Sequence, residues 1–559
     1  MNKIIEPSPE DIFEQADRLF TDGKTGEAAT LFNRLVDIQP WAAEANNRLG
    51  VIAGFQDRLE ESRVLLEKAV AAAPGRIDIR QNLLYTLERL GMTDLALELL
   101  LDIGAIQYIG KDYRAAIESF GRGLDFRPGW PRAWVNLMSA LEADGQYATA
   151  IQVALPNLLK AVEGYPDQSD WLRDFIDYFA ADFQHSKIST SDYVPDKTNR
   201  ASAFNTLGNL ARNGGATELA RRAYEIAVRL SPEVAMFHQN LGQTQLSAAN
   251  YAQGWANYEA RVGVFESVPT RDFAQPLWRD QPLAGKTLLL WAEQGFGDTL
   301  QMLRFIPDIA ARGGHVVVEV QIELVRLVSD FFGAPNVEVI PRLIWKDRIL
   351  GNRPFDFHCP FMSLPHRLAV EQNNISGKPY LHVPTIAQER WCGWLRETPE
   401  TDKLRIGLAW AGRPTHSRDR VRTLALKQLI PLLQQPGIGW VSLQVGAARE
   451  QLASLPGDID IVDLTDNLRD FSETAALISQ LDAIVSVDTS VVHVAGALGV
   501  PTAVILPAVP DWRWMFDRSD SPWYDSLTLF RRTDDQGLPD SLLDQIGHWL
   551  SSKVVRERG

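Results

Sequence analysis

The feature that most constrains the fold of this chain is a period of 34 residues in its first part. Pro40 and Pro74 end two successive copies of the pattern. Between the copies, equivalent positions are held by Ala16/Gly50, Leu19/Ala53, Gly23/Asp57, Ala28/Ser62, Phe32/Leu66 and Leu35/Ala69. Small residues permit close helix approach, and a proline ends a helix because it cannot continue the hydrogen-bond ladder. The period therefore predicts helix pairs that bury their apolar faces only by stacking on their neighbours.

This pattern of small, large and proline positions resembles the tetratricopeptide repeat. Further copies end at Pro128 and Pro232, and a last copy runs from His238 to Tyr258. One copy is degenerate between residues 100 and 113. The pattern breaks at 164–200, where we expect an irregular insertion ending in a mobile loop. We place the array at residues 1–265.

An asparagine recurs just before the first leucine of three copies, at Asn82, Asn136 and Asn240. In tetratricopeptide arrays this position faces the inner groove, where the amide can bond the backbone of an extended peptide. The resemblance therefore implies a protein partner held by the repeats. Asparagine is also common at this position by consensus, so pure scaffolding stays open as the alternative.

A second informative segment lies near the C-terminal end. The β-branched run from Ile484 to Val487 ends on Asp488-Thr489-Ser490, and a small-residue segment of helical length leads to Gly499 and Pro501. Strand, loop, helix and a second buried strand predict a βαβ unit of a parallel sheet. Ligands of such sheets bind outside the carboxyl ends of the strands, and a helix N-terminus there suits a phosphate. Prolines and His493 interrupt the uncharged run, so we expect buried strands and no membrane insertion.

Composition excludes several classes of protein. At 559 residues the chain is too long for one core, and its formal net charge of −15 argues against a nucleic-acid partner. Cys359 and Cys392 are too few for a zinc site or a disulfide framework, which fits a reducing cytoplasm. The N-terminus lacks the apolar core of a signal peptide. We expect a cytoplasmic protein.

The part after residue 265 changes from helical repeats to alternating strands and helices. Strands are predicted at 286–291, 316–320, 337–340 and 355–358, and a second set at 405–410, 440–444, 459–462, 483–487 and 503–506. The sets predict two Rossmann-like halves that face a cleft, at 266–395 and at 396–559, the second with a terminal helix.

Specific motifs in these halves look like the heptosyltransferase family of GT-B glycosyltransferases. The motifs are the turn Glu293-Gln-Gly-Phe-Gly-Asp298 after the first strand and Asp488-Thr-x-x-x-His493-x-Ala-Gly-Ala-Leu-Gly-x-Pro501 in the second half. Further matching phrases are Gly254-Trp-Ala-Asn-Tyr-Glu-Ala-Arg261, Asp511-Trp-Arg-Trp514 and Ser521-Pro-Trp-Tyr524. The combination with repeats is similar to bacterial repeat-containing glycosyltransferases and to the O-linked N-acetylglucosamine transferase. The fold class predicted is an α-solenoid followed by an α/β GT-B fold of two Rossmann-like halves.

Sugar transfer from a nucleotide donor needs a base for the acceptor hydroxyl and stabilisation of the departing phosphate. Asp298 matches the Gly-Asp position of heptosyltransferases and is the candidate base. Its alternative role is an N-cap for a helix starting at Thr299. Glu293 and Gln294 would orient the acceptor or brace the turn.

The second half supplies the candidate donor-binding residues. The resemblance assigns the donor sugar and phosphate to Asp488 and Thr489, although Ser490 stands where many relatives have glycine and Asp488 could instead cap a helix. His493 either donates a hydrogen bond to the phosphate or is a core histidine whose hydrogen bonds are satisfied within the protein. The loop 412–423 follows a strand and carries four arginines, whose forks suit phosphate; we favour Arg418 and Arg420. Gln444 ends another strand and contacts the nucleotide or is structural.

The sequence therefore predicts a metal-independent, inverting glycosyltransferase without a cofactor, since no Asp-x-Asp motif follows a suitable strand. A nucleotide sugar would be the donor and Ser or Thr hydroxyls of a protein the acceptor. Some bacterial proteins of this architecture modify flagellin with nonulosonic acids, which makes flagellin a candidate acceptor that the motifs do not prove. The alternatives are a non-catalytic repeat scaffold with a degenerate transferase domain, and a transferase acting on glycan or lipid.

Overall fold

The computed structural model describes most of the chain. The described residues are 7–127, 131–144, 146, 149–150, 197–213, 215–262, 271, 273–342, 354–398, 403–416, 418–533 and 537–557. The chain divides into two compact units, Met1–Gly214 with Ile226–Ser231, and Gly215–Glu225 with Pro232–Gly559.

The first unit is built from antiparallel helices. They are α1 (Pro9–Thr21), α2 (Thr25–Phe32), α3 (Ala42–Phe55), α4 (Leu59–Ala72), α5 (Ile77–Arg89), α6 (Thr93–Ile109), α7 (Tyr113–Phe126), α8 (Pro131–Ala143) and α9 (Lys197–Asn213), while α10 (Thr217–Leu230) is divided between the units. Helix α1 starts at a capping box, in which the Ser8 hydroxyl accepts from the amide of Asp11 at 3.1 Å and the Asp11 carboxylate accepts from the amide of Ser8 at 3.0 Å.

Close helix pairs occur where the repeat places a small residue. A Cβ at Gly50 of α3 would lie 2.6 Å from Leu66 of α4, and a Cβ at Gly104 of α6 would lie 2.4 Å from Phe120 of α7. The large residue follows the glycine at the same chain separation in both pairs. Helix α6 thus forms the repeat pair with α7 while it also packs on α5. The degenerate copy between residues 100 and 113 lies at the end of α6 and the turn before α7.

Several predictions on the repeats fall outside the described residues. The expected insertion at 164–200 is described only from Lys197, where α9 begins, and Pro128 is not described. In the second unit, α11 (Ala235–Ser247) and α12 (Tyr251–Tyr258) form the last helix pair. Compactness groups this pair with the α/β part, whereas we placed the array's end at 265; the bounds of the three domains stay predictions.

The strands described in the second unit form two parallel sheets. The first sheet has the order β3-β2-β1-β4 and contains β1 (Thr287–Trp291), β2 (His315–Val320), β3 (Val337–Pro341) and β4 (Phe357–Pro360). Its helices are α13 (Phe296–Met302), α14 (Ile306–Ala310), α15 (Val325–Phe331), α16 (Leu364–Arg367) and α17 (Thr385–Arg396). Strand β1 is buried along most of its length because sheet neighbours flank it on both edges and helices cover it.

The second sheet has the order β10-β9-β8-β5-β6-β7. Its strands are β5 (Leu404–Ala409), β6 (Ile438–Ser442), β7 (Ile461–Val462), β8 (Ala483–Val487), β9 (Thr502–Leu506) and β10 (Leu527–Arg531). Its helices are α18 (Asp419–Arg422), α19 (Ile430–Leu433), α20 (Phe471–Ile478), α21 (Ser490–Leu498) and α22 (Asp540–Glu557). The predicted fold class, helical repeats followed by two Rossmann-like halves, is confirmed. No helix among the described residues is long and apolar enough to cross a membrane.

Candidate functional site

Asp298 and Asp488, one predicted site residue from each half, both follow the carboxyl end of a strand. Strand β1 leads into the turn that carries Asp298, and β8 leads into Asp488. Strand β9 leads into a short 3₁₀ turn that carries Arg513, a residue that the sequence reasoning did not select. We call Arg513, Asp298, Gln301, Asp488 and Asp511 the Arg513 cluster.

Arg513 joins the two halves. Its Nη2 donates to Asp298 Oδ1 at 2.5 Å, and its Nε donates to Gln301 Oε1 at 2.9 Å. On its own side, its Nη1 lies 2.9 Å from Asp511 Oδ1. The residue is 8% exposed, and the surrounding carboxylates raise the pKa of the guanidinium above its ordinary value despite burial. Arg513 is therefore a fixed positive charge at the centre of the cluster.

Asp298 has a separate partner for each carboxylate oxygen. Oδ1 accepts from Arg513, and Oδ2 accepts from the amide of the N-cap residue Gly295 at 3.0 Å, which caps the start of α13. The helix thus starts at Phe296, and Asp298 caps it from its third position, whereas we had considered an N-cap for a helix starting at Thr299. The side chain is 19% exposed. Capping and proton acceptance are therefore compatible, because the carboxylate has further lone pairs.

Asp488 lies one residue before the N-cap of α21. Thr489 is the N-cap, and its hydroxyl lies 3.3 Å from the hydroxyl of Ser486, so the capping alternative for Asp488 is not the arrangement seen. Burial raises the pKa of Asp488, and the charge of Asp511 adds to the rise, while Arg513 and Arg422 oppose it. The first residue of the helix is Ser490. The start of α21 therefore presents backbone N–H groups beside a partly buried carboxylate.

His493 has the contacts of a satisfied core histidine. It is 3% exposed, and its Nδ1 lies 2.9 Å from the Tyr524 hydroxyl. Burial lowers the pKa of His493 well below its usual value, and the charges of Arg513 and Arg304 lower it further. The ring is therefore neutral. Its other edge abuts Gly297 of the first half, where a Cβ would lie 2.7 Å from His493 Cδ2.

The arginine loop after β5 reaches the cluster through a residue that we did not favour. Arg418 donates to the backbone carbonyls of Val509 and Pro510 and so braces the loop after β9, while Arg420 is exposed. Arg422 donates through Nη1 to the carbonyl of Asp488 at 3.3 Å. Of the loop arginines, Arg422 is thus the one placed beside the start of α21. Its presence in the same motif was the signal that could have found it.

His416, in the same loop, shares the electrostatic environment of the cluster. Although His416 is exposed, partial desolvation lowers its pKa, and Arg422 and Arg418 lower it further, while Asp511 and Asp298 oppose this. The loop after β5 therefore lies close enough for charges of both halves to act on it.

Gln444 holds two strand ends together. Its Oε1 accepts from the amides of Trp410 at 3.1 Å and Ala411 at 2.9 Å, and its Nε2 donates to the carbonyl of Val445. The residue is 5% exposed. These contacts match its structural alternative rather than contact with a nucleotide.

Glu293 and Gln294 have the contacts of the bracing alternative. Glu293 is 1% exposed and forms a buried ion pair with Arg261 at 2.8 Å. Gln294 donates through Nε2 to the hydroxyl of Tyr258 at 3.2 Å. Both residues therefore hold the turn between β1 and α13, and acceptor contact by them stays a prediction.

The three repeat asparagines differ in their surroundings. Asn82 donates to the amide oxygen of Asn47 at 2.9 Å, which is 3% exposed. Asn136 lies on α8 of the first unit, and Asn240 lies on α11 of the second. A peptide-binding role for them stays a prediction. Over the stretches that the structure describes, no group of three His, Cys, Asp or Glu residues could hold a metal ion.

Comparison with known protein families finds a match in the repeat part of the chain and another in the α/β part. The model of glycosyltransferase family 9 (heptosyltransferase) matches residues 427–535, and a tetratricopeptide repeat model matches residues 13–77. Protein FlbA of Caulobacter vibrioides is 26% identical over 373 residues, which are 62% of this chain and 60% of FlbA. The match thus spans less than two thirds of that relative.

Two solved glycosyltransferase structures each match about half of this chain. ADP-heptose lipopolysaccharide heptosyltransferase II of E. coli is 17% identical with a TM-score of 0.37, and covers 49% of this chain and 100% of its own. A family 9 glycosyltransferase from Veillonella parvula is 11% identical with a TM-score of 0.36, and covers 50% of this chain and 92% of its own. On the sequence matches, the chain carries tetratricopeptide repeats and a glycosyltransferase family 9, heptosyltransferase-like domain.

Proposed function

We propose that the protein is a metal-independent, inverting glycosyltransferase that moves a sugar from a nucleotide sugar to Ser or Thr hydroxyls of a protein. The observation that carries the proposal is the Arg513 cluster, which joins Asp298 of the first half to the loops of the matched family 9 region. The repeats bind the acceptor protein, and the low cysteine content fits a reaction in the cytoplasm.

In the proposed reaction, the oxygen of the acceptor hydroxyl attacks the anomeric carbon of the donor sugar, and Asp298 accepts the proton of that hydroxyl. The bond between that carbon and the phosphate oxygen breaks, and the nucleotide leaves with the electron pair. Attack from the face opposite the leaving group inverts the anomeric centre. The amides at the start of α21 and the guanidinium of Arg422 stabilise the developing phosphate charge. Arg513 supplies a positive charge where a metal ion would otherwise be needed.

A screen of the full-length chain against a panel of nucleotide sugars tests the donor. We expect one donor to be hydrolysed slowly without acceptor. If no donor binds or turns over, the scaffold with a degenerate transferase domain is the better description.

Asp298→Asn tests the base. We expect this variant to lose transfer by at least about a hundredfold while donor affinity stays within about twofold. Asp308→Asn is the matched control, because Asp308 is an exposed carboxylate on the next helix. A wild-type rate for Asp298→Asn would remove Asp298 from the mechanism.

Capture experiments with the full-length chain test the acceptor. Flagellin is a candidate acceptor and a nonulosonic acid a candidate sugar. We expect transfer to a protein and weaker capture by Asn82→Ala, since Asn82 lies at the repeated groove position. Modification only of glycans or lipids would support the alternative acceptor class and contradict a protein acceptor.

A further inference from the structure

The last helix of the second unit, α12, is packed into the α/β core. Trp255 donates through Nε1 to the carbonyl of Val370 at 3.1 Å, and its ring meets Trp512 edge-on at 5.2 Å. Val370 belongs to the first half and Trp512 to the second. Helix α12, which ends the repeat pattern in sequence, therefore contacts both halves of the transferase-like unit.

Arg261, in the 3₁₀ turn after α12, is bonded to the turn that leads to Asp298. Its guanidinium is 0% exposed and donates to Glu293 Oε1 at 2.8 and 3.3 Å. It also donates to the Ser363 hydroxyl at 2.8 Å and to Glu259 at 3.0 Å. The same oxygen of Glu293 accepts from the amide of Met362 at 3.0 Å. The first residues of the turn are thus anchored to the repeat helix and to the end of β4.

Tyr258, on α12 itself, holds the next residue of the turn. Its hydroxyl accepts from Gln294 Nε2 at 3.2 Å, and the side chain is 3% exposed. Burial raises the pKa of Tyr258 to about 12, and the charges of Arg261, Asp298 and Arg513 all act on it. The tyrosine therefore stays protonated and lies beside the Arg513 cluster.

The far side of the turn is held by β2. Gln321, the residue after that strand, donates through Nε2 to the carbonyl of Gln294 at 2.8 Å. Its Oε1 accepts from the Thr299 hydroxyl at 3.0 Å. Tyr258 thus binds the side chain of Gln294 and Gln321 binds its backbone carbonyl, while Gln321 also binds Thr299 at the other end of the segment.

We infer that Tyr258 and Arg261 are positioning residues for the reaction proposed above, holding the turn 293–298 so that Asp298 meets the acceptor hydroxyl. The last repeat hairpin then positions a residue of the transferase site, in addition to belonging to the acceptor-binding array. The inference rests on the proposed function for its kinetic part. Small displacements of a reacting group are costly, since about 1 Å of misplacement can reduce a rate by about a hundredfold.

Tyr258→Phe in the full-length chain tests the inference, because it removes one hydroxyl and keeps the ring packing. We expect kcat for transfer to fall by about tenfold to a hundredfold, with the KM for the donor within about twofold of wild type. Tyr251→Phe is the matched control, as Tyr251 is 1% exposed on the same helix and its hydroxyl contacts Met515 Sδ at 4.0 Å. An unchanged kcat in Tyr258→Phe, or an equal loss in Tyr251→Phe, would overturn the inference.

Hydrogen exchange provides a readout that needs no substrate. Amides of residues 295–302 should exchange about twofold to tenfold faster in Tyr258→Phe than in Tyr251→Phe, the factor expected for loss of one net hydrogen bond. Equal exchange in the two variants refutes the positioning role. Faster exchange in a protein that transfers no sugar would instead keep the positioning role and reject the proposed function.

Arg261→Lys tests the ion pair while it retains the charge. The lysine cannot reproduce the forked contacts to Glu293 and Ser363, so we expect a loss of kcat in the same range and faster exchange at residues 295–302. A variant with wild-type kcat and wild-type exchange at these amides would show that Arg261 does not position the turn.

Discussion

The contact between Gly297 and His493 gives a sharp test of how the two halves meet. Gly297 lies on α13 of the first half and His493 on α21 of the second. A Cβ added at Gly297 would lie 2.7 Å from His493 Cδ2 and 3.0 Å from Nε2. The imidazole has little room to retreat, because its ring packs on Trp514 and Tyr524 with centroid distances of 5.6 and 5.7 Å. Gly297→Ala must therefore shift one helix or strain the ring.

Two effects of Gly297→Ala oppose each other. Overpacking a tight contact costs about 1–3 kcal/mol of unfolding free energy. Replacing a helical glycine with alanine contributes about 0.5–1 kcal/mol in the stabilising direction. Because the imidazole is flanked by two aromatic rings, we expect overpacking to win and the variant to be destabilised.

Urea unfolding of four full-length variants would measure the contact. Wild type, Gly297→Ala, His493→Ala and the double variant form a cycle, in which the alanine should cost little once the imidazole is absent. The expected coupling energy is about 1–3 kcal/mol. Gly393→Ala on α17 is the control for helix propensity, since its Cβ would meet nothing within 4 Å, and it should be neutral or stabilising. An equal cost of Gly297→Ala in both backgrounds would refute the reasoning.

Two further predictions concern buried charges. Arg513→Met leaves the carboxylates of Asp298 and Asp511 without their cation, so we expect the free energy of unfolding to fall by about 3–5 kcal/mol. Thermal unfolding measures this, and an unchanged melting temperature would contradict the central role of the Arg513 charge. Burial raises the pKa of Glu142 on α8 to about 7, against which the charge of Arg212 acts. The folded state therefore resists ionisation of Glu142, and unfolding free energy falls as the pH rises from about 4.5 to about 7. Glu142→Gln should reduce this fall in urea titrations at pH values of about 5 and about 8; an identical pH dependence would disprove it.

Local patterns in the sequence predicted strands β1 to β9 and the strand ends at which the candidate site lies, but not β10 at the edge of the second sheet. The β-branched run before Asp488 and the glycine turn before Asp298 each identify a strand end, and parallel strands bring such ends to one edge of a sheet. The 34-residue period likewise predicted the paired helices. These features depend on neighbours in the chain, so the sequence pattern expresses them directly.

The partners of Asp298 could not be predicted in the same way. Arg513 follows Asp298 by 215 positions, and their hydrogen bond depends on how the two sheets pack. The choice among the arginines of the loop after β5 also depends on side-chain direction, which places Arg418 on backbone carbonyls and Arg422 beside Asp488. Likewise, the sequence alone could not show that Glu293 forms a buried ion pair with Arg261, because this contact requires the last repeat hairpin to pack on the α/β part.

Because Arg513 bonds to residues of both halves, the donor binding proposed above would be coupled to the contact between them. Its backbone belongs to the second half, yet its Nε and Nη2 are bonded to Gln301 and Asp298 of the first. The phosphate that we propose to bind beside α21 would compete for the same guanidinium. A hydrogen bond from Arg513 to the phosphate would weaken the bonds from Arg513 to Asp298 and Gln301. Those bonds would in turn weaken binding of the phosphate. By thermodynamic reciprocity, an anion that weakens the bonds between Arg513 and the first half must itself bind more tightly when those bonds are broken.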